Sequence, residues 1–303
     1  MTGQAMMMRS QYASHYPVDA DTLAQIVSLA LREDIGRGDL TSMLTIPPGT
    51  PAHGVLLARQ EGVMSGGLVV AECFHQCDSD ATFTPLVAEG DSFSDGDHIG
   101  RVDGSARGLL AAERVALNFL QRLSGVATLT RRFVDEITDT DARIADTRKT
   151  TPGLRALEKA AVIAGGGSNH RFALYDGILI KDNHIALAGG IARAVAAARG
   201  GAPHTLKIEV ETTQIHEVRE ALEAGAEIIM LDNMDDETMA EAVRLVGDRA
   251  LLEVSGNMSL DRVRAVAELG VDLISVGLIT HSAASIDISL NLEMPEKASR
   301  GGI

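Results

Sequence analysis

The sequence predicts an α/β protein: repeated strand–helix units form a parallel, barrel-type body, preceded by a smaller domain of different build. Three observations carry this reading. Short aliphatic runs end in a polar or small residue at Lys181, Glu211, Asp232, Ser255 and Gly277, at intervals of 30, 21, 23 and 22 residues, the length of one strand, one helix and two loops. The 303-residue length fits roughly two domains, or one barrel of about 250 residues with an appendage. The chain is 45% hydrophobic but only 3% aromatic and has no Trp, so its core must be built from Ala, Val, Leu and Ile, as in parallel strands covered by helices.

Taken in order, residues 1–17 hold three consecutive Met and Arg9 but no hydrophobic signal core, and are expected to form a mobile N-terminal arm. Asp21–Arg32 has the spacing of an amphipathic helix, and Glu33–Asp39 reads as a polar turn punctuated by Gly36 and Gly38. Residues 53–105 alternate short aliphatic strands with turns such as Glu89-Gly90-Asp91, which predicts a small, mostly antiparallel sheet. Cys73 and Cys77 share one face of a helix; two cysteines cannot supply a four-ligand zinc site or a disulfide framework, so both are read as buried or half-buried thiols. A long helix from Gly108 to about Gly125 carries Arg114 and joins the two parts.

The βα units follow. Strands are expected at Arg143–Asp146, Gly177–Asp182, Leu206–Glu211, Glu227–Asp232, Leu251–Ser255 and Leu273–Gly277. Helices are expected at Leu187–Arg199, Thr213–Ala224, Asp236–Leu245 and Ser259–Leu269. Ala283–Leu292 closes the chain as a last strand or helix.

Charge narrows the function. The chain carries −15, which argues against general affinity for DNA or anionic membranes. From Arg143 to His184, however, seven Lys and Arg face four Asp and Glu. A cationic region inside an acidic protein points to an interior site for a small, multiply anionic molecule rather than to an exposed nucleic-acid surface. There is no 18-residue apolar stretch, so no membrane span and a soluble, cytoplasmic protein are expected.

In a barrel, residues at the carboxyl ends of strands ring one opening. The spacing therefore places Lys181, Glu211, Asp232 and Ser255 around a common mouth. Arg148 and Lys149 follow a strand, and Gly165-Gly166-Gly167 permits close backbone approach just ahead of His170 and Arg171. Arg171 can fork onto a carboxylate. Lys181 can serve as an anion clamp or as a Schiff-base amine. Glu211 and Asp232 suit sugar hydroxyls or a divalent metal brought by the substrate. Ser255-Gly256-Asn257 and Val276-Gly277-Leu278 stand at the last two strand ends, where barrel backbone amides hold phosphates.

The string Asp146-Thr147-Arg148-Lys149-Thr150-Thr151-Pro152-Gly153 through Gly165-Gly166-Gly167-Ser168-Asn169-His170-Arg171, then Asp176–His184, resembles the quinolinate phosphoribosyltransferase family. The likeness continues through Ile208–Glu211, Leu231–Met234, Glu253–Asn257 and Ile274–Gly277, and covers about residues 20–292. It implies an N-terminal α/β sandwich (18–125, joined by the segment 283–303) and an open, incomplete, seven-stranded-type α/β barrel (126–282). It implies a pentosyltransferase that moves phosphoribose from phosphoribosyl pyrophosphate to quinolinate with loss of CO2, giving nicotinate mononucleotide and pyrophosphate on the de novo route to NAD. By the same likeness Arg114, from a partner subunit, with Thr147, Arg148, His170, Arg171 and Lys181, would hold quinolinate. Lys149, Glu211, Asp232, Ser255, Gly256, Asn257, Val276, Gly277 and Leu278 would hold phosphoribosyl pyrophosphate. Lys149, Lys181, Glu211 and Asp232 would form the catalytic group, with Glu211 and Asp232 as the Mg2+ environment. No organic cofactor is implied, and a homodimer or higher assembly is. The alternatives are a paralogous phosphoribosyltransferase-like protein linked to molybdate transport, a Schiff-base barrel lyase using Lys181, and a binding protein that has lost turnover.

Overall fold

The structure, a computed structural model, describes residues 18–294, so the arm expected at residues 1–17 and the chain beyond Met294 lie outside the described residues. The chain divides into two compact units. The first takes in the residues to Thr128, Pro152–Gly165 and the segment from Ala283; the second takes in Leu129–Thr151 and Gly166–Ser282.

The first unit opens with α1 (Ala20–Ile35), whose N-cap Asp19 accepts the Thr22 N–H at 2.9 Å. After the glycine-punctuated turn, α2 (Leu40–Thr45) is capped in the same way by Asp39, from Ser42 N–H at 3.1 Å. Then come β1 (Pro51–Ala58), β2 (Gly62–Val63), α3 (Gly67–Cys77), β3 (Thr82–Pro85), β4 (Ser92–Phe93) and β5 (His98–Ser105). Cys73 is buried and Cys77 half-buried on α3, as their spacing suggests. The Glu89 carboxylate accepts the Gly66 and Gly67 N–H groups at 2.9 and 2.6 Å, closing the amino end of α3 where the helix dipole favours a negative charge.

The long helix α4 (Ala106–Glu136) begins in this unit and continues beyond Gly125. Gly125 does not stop it: a Cβ there would run into the Ala284 carbonyl, so the glycine marks a close backbone approach inside the helix. The segment from Ala283 ends in β12 (Ile288–Glu293), which pairs antiparallel with β1, giving the sheet order β12-β1-β5-β3. The buried positions of β1 alternate, the period expected of a strand with one covered face.

This unit also holds α5 (Arg155–Ala164), a helix not expected from the sequence pattern. Ala156 through Val162 are buried without interruption, including Glu158 and Lys159, so no polar face exposes a helical period. Glu158 is paired with Arg122 at 2.8 Å, and Arg122 also donates to the Ala283 carbonyl at 2.7 Å.

The second unit contains β6 (Arg143–Ala145), β7 (Ile178–Ile180), α6 (Asp182–Ala188), α7 (Ile191–Gly201), β8 (Ile208–Thr212), α8 (Ile215–Glu223), β9 (Ile228–Asp232), α9 (Asp236–Val246), β10 (Leu251–Ser255), α10 (Leu260–Glu268), β11 (Leu273–Ser275) and α11 (Leu278–His281). Its six strands are parallel in the order β6-β11-β10-β9-β8-β7. β6 bridges Ser168 on its other side, but the described strands do not close the ring between there and β7. The result is the open α/β barrel that the resemblance implies.

The run read as one helix from Leu187 is two, because Gly189 and Gly190 adopt φ values of +82° and +125° between α6 and α7. Acidic side chains fix the amino ends of strands: Glu227 accepts the Ile208 N–H at 2.9 Å and Asp272 the Leu252 N–H at 2.7 Å. The carboxyl ends carry the chemistry.

Candidate active site

The predicted site residues divide by unit. Arg114 lies on α4 in the first unit, exposed. The other fourteen, Thr147, Arg148, Lys149, His170, Arg171, Lys181, Glu211, Asp232, Ser255, Gly256, Asn257, Val276, Gly277 and Leu278, all belong to the second, at the carboxyl ends of its parallel strands or in the loops that follow.

After β6 the chain turns sharply, with the Lys149 N–H donating to Thr147 Oγ1 at 3.0 Å. Thr280 Oγ1 donates to the Lys149 carbonyl at 2.8 Å, tying this loop to α11. The Lys149 side chain crosses Gly277, where a Cβ would stand 3.0 Å from Lys149 Cδ. Gly277 thus leaves room for the lysine.

Arg171 sits in a loop held at both ends. Its Nη1 donates to the Gly177 carbonyl at 2.9 Å, and Asp176 accepts the Phe172 and Ala173 N–H groups at 2.6 and 2.7 Å. Gly177 again makes space, since a Cβ there would lie 2.9 Å from that of Arg171. Burial, and then the positive charge of Arg148, hold the Arg171 guanidinium below its ordinary pKa, against the favourable charges of Glu209 and Asp176. Arg148 and Arg171 are therefore near enough to repel, the condition for gripping an anion between them.

Lys181 caps α6, and its Nζ is ion-paired with the Glu211 carboxylate from β8. An ammonium has three donors, so this pairing leaves Lys181 able to hold a second anion. At the end of β9, Asn233 Nδ2 donates to Asp232 Oδ2 at 2.9 Å and its backbone N–H to the Ser255 carbonyl at 3.0 Å. Asn233, Gly256 and Asn257 all take positive φ (54°, 101° and 26°), and a Cβ on Gly256 would overlap Asn233 Oδ1. Such backbone strain gathers at functional sites.

Beneath this layer His170 meets Glu209 and Glu253, two residues that the sequence reading did not single out. His170 donates its backbone N–H to buried Asp146 at 2.9 Å. Its Nδ1 accepts the Arg171 N–H at 2.7 Å, and its Nε2 faces Glu209 and Glu253 at 3.2 and 3.4 Å. The Ser275 hydroxyl donates to Glu253. The signal was available: strand side chains alternate, so Glu209 shares a face with Glu211, and Glu253 with Ser255.

His170 is expected to help grip the substrate carboxylates; in the structure both of its ring nitrogens have partners within the chain. Burial opposes a charge on the imidazole, but the hydrogen bonds and charges of Glu209 and Glu253 outweigh it and raise its pKa to about 10. Burial also pushes the Glu209 carboxyl up.

Two groups could in principle hold a metal. The ligand atoms of His170, Glu209 and Glu253 lie within 4.8 Å of one another. They fit poorly, because the Nδ1 bond puts the ring proton on Nε2, the atom that would face the ion. Glu211 and Asp232 offer the hard oxygen donors that Mg2+ takes, at neighbouring strand ends.

Comparison with known proteins gives the family. The family model for quinolinate phosphoribosyl transferase, N-terminal domain, matches residues 39–124, and that for the C-terminal domain matches residues 126–291. The chain belongs to the quinolinate phosphoribosyl transferase family. It is 43% identical over 276 residues to a probable nicotinate-nucleotide pyrophosphorylase [carboxylating] of Bacillus subtilis, covering 91% of this chain and 95% of that protein. It is 41% identical to the chloroplastic nicotinate-nucleotide pyrophosphorylase [carboxylating] of Oryza sativa, over 89% of this chain and 78% of the relative. Among solved structures, NadC from Streptococcus pyogenes superimposes with a TM-score of 0.88 at 40% identity, over 91% of this chain and 98% of that one. The two family models meet in α4, between Ser124 and Val126.

Proposed function

We propose that this chain transfers phosphoribose from phosphoribosyl pyrophosphate to quinolinate with decarboxylation, releasing nicotinate mononucleotide, pyrophosphate and CO2 for NAD biosynthesis. Membership of the family across both domain models carries the proposal. The arrangement of Arg148, Arg171 and Lys181 supports it: a dicarboxylate approaching a chain of −15 needs fixed cations aimed at it.

In this reading Arg148, Arg171 and Lys181, with Thr147 and Arg114, hold the two carboxylates, and His170 backs the clamp from beneath. Lys149, Ser255, Gly256, Asn257, Val276, Gly277 and Leu278 hold the phosphates of the donor. Glu211 and Asp232 take ribose hydroxyls and Mg2+, which would neutralise the departing pyrophosphate. The pyridine nitrogen attacks the anomeric carbon with its lone pair while the bond to pyrophosphate breaks, its electrons leaving with that group. Positive charge that develops on the ribose is stabilised by the carboxylates of Glu211 and Asp232. The quaternised ring then accepts the electron pair left at C2 as CO2 departs, and a proton from water replaces it. Positioning and electrostatics do this work, and no covalent enzyme intermediate is needed.

The Schiff-base alternative loses ground because Lys181 Nζ is ion-paired with Glu211, and the molybdate-linked alternative because the relatives are carboxylating pyrophosphorylases. A cytoplasmic homodimer, with Arg114 reaching the neighbouring subunit's site, completes the proposal. The test incubates the protein with quinolinate, phosphoribosyl pyrophosphate and Mg2+ and follows CO2 and nicotinate mononucleotide together. Equal yields of both are expected; neither product appearing would overturn the assignment.

A further inference from the structure

The pair Glu209 and Glu253 stands outside the mechanism above, yet burying it is costly. Both are buried charged groups on strands β8 and β10, and they meet at one imidazole. Glu209 Oε1 finds no hydrogen-bond partner among the described residues. Burying carboxylates in a barrel interior, one with an unsatisfied oxygen, is expensive, and apolar residues of similar size would serve stability as well or better. Their placement therefore calls for a reason other than stability.

The geometry gives one. From Glu253 the contacts run through His170 Nε2 to the ring, from Nδ1 to the Arg171 backbone N–H, and from the Arg171 guanidinium to the Gly177 carbonyl. Asp146 fixes the His170 backbone from the other side, and Ser275 fixes Glu253. His170 thus acts as a peg: both carboxylates hold its ring, and the ring holds the backbone of the residue that carries the fork. We propose that Glu209 and Glu253 are positioning residues for the anion clamp, setting affinity for the pyridine dicarboxylate through His170 and Arg171 without touching the substrate. The proposal rests on the assignment of quinolinate as substrate.

Glu209→Gln and Glu253→Gln keep the shape and an acceptor oxygen but remove the charge. Each should raise the KM for quinolinate, and the Kd of quinolinate alone measured by calorimetry, about tenfold or more, the scale of one lost charge-assisted contact. The KM for phosphoribosyl pyrophosphate should stay within about twofold, and the melting temperature should not fall, since a buried charge has been relieved. His170→Ala should raise the quinolinate KM and Kd in the same way, and adding Glu253→Gln to it should cost little more quinolinate affinity, because the two act in series.

Unchanged quinolinate affinity in both glutamine variants would overturn the proposal. So would a parallel rise in both KM values, or full additivity with His170→Ala. If the glutamine variants fail to fold, Ser275→Ala carries the test, with a rise of about threefold in quinolinate Kd expected from a single lost neutral hydrogen bond and no rise overturning the idea. Wild-type protein that binds quinolinate but forms no product would sink the function assignment alone, while the calorimetric arm still decides the role of the glutamates. Wild-type protein that binds no quinolinate would sink both.

Discussion

Arg171 and Lys181 reach the site by different means, and the difference sets what their loss should do. Arg171 is held through its backbone, by His170, and through its guanidinium, by Gly177, whereas Lys181 answers to a single carboxylate, Glu211. Arg171→Ala removes a pre-oriented fork, and the KM for quinolinate should rise about a hundredfold, the equivalent of one strong bidentate contact. Lys181→Ala removes a charge and frees Glu211 next to an incoming dianion, so the same KM should rise at least as much. Steady-state kinetics on both variants checks this, and values near wild type would mean that the clamp is elsewhere. At this scale the sequence was informative where a charge ended a strand, as at Lys181, Glu211 and Asp232. It gave no role to Glu209 and Glu253: alternation puts them on the faces of Glu211 and Ser255, but their meeting at one imidazole depends on neighbours from other strands. For His170 the motif gives its presence but not the direction of its ring nitrogens.

Elements were legible wherever periodicity survived burial. The six strands of the second unit and the helices α7 to α10 follow the spacing of aliphatic runs. α5 was missed because burial on every side erases the amphipathic pattern, and α4 was cut short because Gly125 looks like a stop when it is a point of close approach. The caps carry a prediction of their own. The Ser42 hydroxyl, and after it the Ser42 backbone N–H, hold the Asp39 carboxyl below its ordinary value of 3.8. A depressed folded-state pKa contributes stability above the unfolded value and loses it as pH falls through the folded one. Asp39→Ala should therefore weaken α2 by about 1 kcal/mol at neutral pH, seen as faster amide exchange over Ser42–Thr45. The gap between variant and wild type should close below pH 3.8, and a gap that persisted in acid would show that the cap acts through something other than its charge.

The whole molecule is acidic, with a cationic site confined to one sheet end of one unit, so the site's charge must be local and its neighbours must supply what it lacks. Arg114, exposed on α4, is the proposed contribution from a second copy. Arg114→Ala and Arg148→Ala should each be inactive alone, yet a mixture of the two should recover up to about a quarter of wild-type activity, the share expected when random pairing gives mixed dimers in half the assemblies and each holds one intact site. Zero recovery after subunit exchange would place Arg114 in its own subunit's site or in none.

The pairing of β12 with β1 has a practical side. Nearly the last described residues of the chain form one flank of the first unit's sheet, shielding a strand that includes Val55, Leu56 and Leu57. Premature termination before Ile288 would leave bare those N–H and C=O groups of β1 that face β12, while those facing β5 stay paired, and so open an adhesive border for any extended segment nearby. A chain ending at Asp287 should accordingly collect in the insoluble fraction, while the full-length protein stays in solution. Clipping the tail should then show first as clumping of the chain.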